Sequence, residues 1–132
     1  MIYKYAVLRG ILGVAIFIDV EEIINPGIIE GDLQIIEGIY LRINGSLLFL
    51  SQLDIEKYIK KAIFELSEVI NQRLHGSPVC FYIKSVETNP VHFQEEGLYC
   101  AMRGWLAQNY DLKLELVGVE YSKEEKRFVF DI

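Results

Sequence analysis

Two cysteines, Cys80 and Cys100, and two histidines, His75 and His92, are the residues of this chain whose types could carry nucleophilic or metal chemistry. A thiol becomes a nucleophile when a base or a positive environment lowers its pKa. Cys80 falls inside the apolar run Val79-Cys80-Phe81-Tyr82-Ile83, and Cys100 falls in the body of a helical pattern, so neither is offered a helix N-terminus. As metal ligands the four residues lack a Cys-x-x-Cys or His-x-x-x-His pair to start a site, and neither a metal nor a cofactor is expected. Gly10 and Gly13 precede a strand rather than a helix, which is not the arrangement of a phosphate loop. His92, just before a helical pattern, is the residue placed to act as base, ligand or sensor. An enzyme built on His92 with Cys80 or Cys100 is therefore one reading of the chain. His75 lies at a helix C-terminus, where the dipole favours a partly charged imidazole.

Charge gives a second reading. Nineteen acidic against thirteen basic residues leave a formal charge of −6, which opposes binding to a phosphate backbone and points to a basic protein as partner, if there is one. Glu87, Glu95, Glu96, Glu124 and Glu125 supply a negative face that serves either solubility or the docking of that partner. The expected partner surface comprises His92, Glu95, Glu96, Arg103 and Tyr110. Closed two-fold dimers are the commonest soluble oligomers, and the 52% apolar content is compatible with one. The leading expectation is a small non-enzymatic interaction protein of the immunity, inhibitor or accessory kind. Two cysteines are too few for a disulfide framework and favour a reducing compartment, hence the cytoplasm. The apolar run 11–20 is about ten residues long. A membrane span needs roughly twenty. No small-residue cleavage site follows that run, so the N-terminus reads as mature protein.

The elements that must hold these residues follow from periodicity and punctuation. The length of 132 residues suits one α+β domain over 1–132. Val14-Ala15-Ile16-Phe17-Ile18 predicts a strand buried on both faces. Asn25-Pro26-Gly27 and Glu30-Gly31-Asp32 are turns. Asn44-Gly45 between the apolar runs 39–43 and 47–50 predicts a β-hairpin. Ser51-Gln52-Leu53-Asp54 has the form of a capping box. Ile55, Tyr58, Ile59, Ala62, Ile63, Leu66, Ile70 and Leu74 then recur as one helical stripe, ended by His75-Gly76 and Pro78. A strand is expected over 79–86 and a loop over 87–90. A second helix is expected from Phe93 or Gln94, with Glu95 and Glu96 in its first turn and Leu98, Ala101, Met102, Trp105 and Leu106 inward. Residues 114–121 and 127–130 predict a closing hairpin. The expected fold is an antiparallel or mixed sheet with two helices on one face, in the order β-β-β-α-β-α-β-β.

Within residues 14–108 the chain resembles the fourth domain of elongation factor G. The likeness rests on the strand 14–20, the helix start Asp54-Ile55-Glu56-Lys57-Tyr58-Ile59, the link Gly76-Ser77-Pro78-Val79 and His92 before the second helix. Thr88-Asn89-Pro90-Val91 stands where that family has an Asp-Gly-Ser type turn. The resemblance implies a split βαβ arrangement with a left-handed crossover, and a ribosome- or RNA-associated module with His92 at its tip.

Overall fold

The computed structural model describes residues 1–47, 51–88 and 93–132. Its centre is a five-stranded mixed sheet in the order β1-β2-β5-β4-β3, built from β1 (Ile2–Arg9), β2 (Leu12–Ile24), β3 (Leu33–Ile36), β4 (Ile39–Ile43) and β5 (Val79–Thr88). β1, β2 and β5 pair antiparallel in succession, β3 pairs antiparallel with β4, and β4 runs parallel to β5. Parallel neighbours need a crossover, which the helical stretch 52–73 provides. That stretch is α1 (Gln52–Asp54), a π-helical turn at Ile55–Lys60, α2 (Lys61–Glu65) and α3 (Ser67–Arg73). After β5 come α4 (Gly97–Tyr110) and a separate hairpin of β6 (Val119–Ser122) and β7 (Arg127–Phe130).

The α+β class and mixed sheet are as the sequence implies, and the helical stripe is buried as its spacing requires. Ile59, Ile63 and Ile70 are fully enclosed, as are Leu98, Ala101, Met102 and Leu106 of α4. Ser51 caps α1 by accepting the Asp54 N–H at 3.0 Å. His75 and Gly76 both take positive φ where α3 ends, and the Gly76 N–H closes the turn on the Asn71 carbonyl.

Six expectations are corrected. Four described strands, not three, precede the first helix, because Ile2–Arg9 is a strand and the stretch 33–43 folds back on itself as two, Leu33–Ile36 and Ile39–Ile43. β2 is covered on one face only: Val14, Ile16, Ile18 and Val20 are buried while Phe17 between them is exposed. The helices lie on that one side, so alternate residues reach solvent. Asn44-Gly45 does not return β4 on itself, since β3 and β5 already occupy the two edges of β4 over 39–41; residues 48–50 of the expected return lie outside the described residues. β5 runs on through Glu87 and Thr88, which pair with Phe17 and Ile16 instead of forming a loop. α4 begins at Gly97 rather than at 93 or 94, because Gln94 is engaged with β7. The strand expected over 114–121 shortens to Val119–Ser122. The Asp131 N–H reaches Gly118, and no described strand lies opposite 114–117.

One apolar core joins the sheet, the helices and the hairpin, and it includes Val119, Phe128 and Phe130. Gly97 sits where a Cβ would come within 2.7 Å of Ile16 Cδ1, and a Cβ on Gly104 would overlap the Tyr3 ring. These two glycines let α4 lie close against β1 and β2. Trp105 packs edge-on to Phe81 and donates its indole N–H to the Met1 carbonyl at 2.9 Å.

Candidate functional site

The structure separates Cys80, Cys100 and His75, the three of the four thiol and imidazole residues that are described. Cys80 is fully buried in β5 beside Tyr40 of β4, whereas Cys100 lies on α4 next to Tyr5. Burial pushes both thiols up, which keeps them protonated and poorly nucleophilic at neutral pH. His75 is exposed in the turn after α3, and His92 lies outside the described residues. Among the described residues no group of three His, Cys, Asp or Glu side chains is placed to hold a metal.

The expected partner surface is likewise divided along α4. Glu95 and Glu96 flank its start, where Arg127 pairs with Glu96 at 2.5 Å and lies in the field of Glu95 and Glu125. Tyr110, at the far end, is buried, and its hydroxyl donates to Glu22. Fourteen helical residues span about 20 Å, so the two ends cannot share one small ligand. Arg103 lies between them and belongs to a different site.

That site is a cleft of about 770 Å³ between β1, α4 and the irregular stretch 112–117. Such a volume is in the range of ligand-binding clefts, roughly 300–1,000 Å³. From β1 it is lined by Tyr3, Tyr5, Ala6, Val7 and Arg9. Adjacent residues of a strand point to opposite faces, so a wall containing Tyr5, Ala6 and Val7 together approaches the strand along its edge. β1 is the outermost strand of the sheet, and no described strand pairs with its free edge. On the other side, 113–117 makes no backbone-to-backbone hydrogen bond among the described residues. The free edge of β1 and the irregular stretch 113–117 thus line one cleft with no backbone-to-backbone hydrogen bond between them among the described residues.

Two arginines bridge the walls. Arg9 donates through Nη2 to the Val119 carbonyl at 3.2 Å, and Arg103 donates through Nη1 to the Glu115 carbonyl at 2.7 Å. Between them the Tyr5 hydroxyl is buried beside the Cys100 thiol and makes no hydrogen bond of ordinary geometry among the described residues. Burial is the main cause that holds this phenol far above its usual pKa, reinforced by Cys100 and opposed by Arg9. The phenol is therefore a neutral donor whose neighbour within the protein is the weakly accepting Cys100 thiol. Gly104, Ala107, Leu112, Leu114, Leu116 and Val117 supply the apolar lining, and Leu116 is 97% exposed.

Sequence reasoning named Arg103 but missed Arg9, Tyr3 and Tyr5. The available signal was the alternation Tyr3-x-Tyr5-x-Val7, which marks one face of a strand. The arrangement can hold a ligand that offers backbone-like hydrogen bonds, apolar side chains and an acceptor for arginine and phenol. Comparison with family models, with curated proteins and with solved structures found no match, so the site's own geometry carries the functional argument.

Proposed function

We propose that this protein is a small, non-enzymatic, cytoplasmic interaction protein that holds an extended segment of a partner protein in the cleft between β1 and 112–117. The observation that carries this reading is that the free edge of β1 and the stretch 113–117 line one cleft and share no backbone-to-backbone hydrogen bond among the described residues. An added strand satisfies such an edge through its main chain, and side-chain pockets then supply selectivity. The buried free thiols agree with a reducing compartment.

Panning a displayed library of random twelve-residue peptides against the full chain tests the proposal, followed by amide hydrogen exchange with each selected peptide. Slowed exchange at residues 3–9 and 113–117 is expected. Binding that leaves both stretches unprotected removes the reading.

A second reading, docking of a basic protein, has its own support in Glu95, Glu96 and Glu125 gathered around Arg127, with Glu96 Oε1 buried and unpartnered among the described residues. Paired Glu95→Gln and Glu125→Gln substitutions weaken a basic partner and leave a cleft ligand untouched, which separates the two. The same carboxylates repel RNA phosphates and weigh against a ribosome- or RNA-associated module. Protonated, buried thiols weigh against an enzyme that uses His92 with Cys80 or Cys100.

A further inference from the structure

The basic groups of the cleft stand out against the charge of the whole chain. The protein carries six more acidic than basic side chains, yet among the described residues the cleft is lined by Arg9, Arg103 and Lys113 against one carboxylate, Asp111. Arg42 and Arg127 each find a carboxylate, Asp32 and Glu96 respectively. Arg9 and Arg103 do not: among the described residues they bond only to the backbone carbonyls of Leu8, Val119 and Glu115. Each guanidinium has five N–H donors, so most of their capacity is unused by the protein itself. The Tyr5 hydroxyl adds a buried donor that lies beside the Cys100 thiol without a hydrogen bond of ordinary geometry among the described residues. Three donors of this kind around one cleft match the oxygens of a carboxylate, to which arginine bonds in charge-assisted pairs.

We propose that Arg9, Arg103 and Tyr5 recognise the carboxylate of an acidic residue within the extended partner segment that the cleft holds. The inference rests on the reading of the cleft as a strand-binding site and adds the chemistry of the occupant: apolar side chains toward Leu114, Leu116 and Val117, and one Asp or Glu toward the arginines. A bidentate arginine contact is specific for a planar oxyanion, so glutamine in the ligand is a poor substitute. The low-dielectric surroundings that raise the phenol also strengthen a charged hydrogen bond formed there.

The test uses the library-selected peptides and the full-length chain. Arg9→Gln, Arg103→Gln and Tyr5→Phe are compared with Arg73→Gln, an exposed arginine outside the cleft that controls for net charge. The expected result is that selected peptides carry an Asp or Glu at a fixed place in an alternating apolar pattern. Arg9→Gln and Arg103→Gln then raise Kd about tenfold or more, and Arg73→Gln leaves it unchanged. Exchanging the peptide's own acidic residue for its amide produces the same loss without altering the protein, which covers the case of a variant that fails to fold. Peptides that protect 3–9 yet lack an acidic residue, or bind the arginine variants as tightly, overturn carboxylate recognition and leave the strand-binding reading standing. Peptides that bind elsewhere, or a stable homodimer that already protects 3–9 in the free protein, overturn both.

Discussion

Replacing Gln94 by methionine removes the bond pair that ties Phe128 of the β6–β7 hairpin to the segment before α4. The Gln94 amide donates to the Phe128 carbonyl at 2.5 Å and accepts from the Phe128 N–H at 3.0 Å. Both groups of one residue point to Gln94, so they face away from β6, and the side chain fills the place of one residue of a third strand. Gln94 is only 8% exposed, so water cannot replace it. Methionine keeps the volume and removes both bonds, together with the 3.2 Å bond from Gln94 Nε2 to Glu96 Oε2. A buried peptide group left without a partner costs about 1–3 kcal/mol, and the two together cost about 2–4 kcal/mol with some relaxation at the edge. For a chain of this length that lowers Tm by roughly 10 °C. Urea unfolding followed by tryptophan fluorescence reads the loss as a shift in midpoint at constant slope. Hydrogen exchange should show β6 and β7 opening before the central sheet. A destabilisation below about 0.5 kcal/mol would mean that the amide pair is not buried as described, and the argument from unsatisfied groups would fail.

Three further outcomes follow from the ionisable groups. Burial holds the hydroxyls of Tyr5, Tyr99 and Tyr110 above the ordinary tyrosine value of about 10, with Tyr99 pushed up to about 12 beside Glu65. The unfolded chain therefore loses these protons first, and stability falls as pH rises above about 10; unchanged urea midpoints across that range would contradict this. The Asp32 carboxyl is held below its usual range chiefly by hydrogen bonds from Arg42, at 2.8 Å to each oxygen. Its contribution is present above the unfolded value of about 4 and is lost as pH falls further, so Asp32→Asn should flatten the acid limb of the stability profile. With both thiols buried and raised, a thiol reagent at neutral pH should label neither Cys80 nor Cys100 until denaturant is added. Fast labelling of the native protein would refute that.

Elements whose signals are local were legible. The Ser51 cap, the His75-Gly76 stop and the apolar stripe of α4 depend on neighbours within one turn, and each lies where the spacing put it. What failed was information held by distant partners. Asn44-Gly45 has hairpin chemistry, but the edge it would need is already filled by β5, some forty residues later. Residues 114–117 have strand composition and yet no described strand opposite them, because β-structure is decided by pairing more than by propensity. β1 escaped notice because Ile2, Ala6 and Leu8 on its open face are as apolar as Val7 on its covered face, which weakens the period-two contrast and leaves the spacing of Tyr3 and Tyr5 as its main trace.

The candidate site was hidden for the same reason, and the acidic composition was actively misleading. Net charge sums over the whole surface, whereas recognition depends on which charges the fold brings together. Arg9 at the end of β1 and Arg103 in the middle of α4 are far apart in the sequence, and they line one cleft because Gly104 admits the Tyr3 ring and draws β1 onto the helix. Had residue 104 carried a side chain, Tyr3 would have to leave α4 and the cleft would change shape. The basic cleft on an acidic protein is therefore a product of close packing at one glycine, and a partner's charge must be argued from that cleft and not from the sum over the chain.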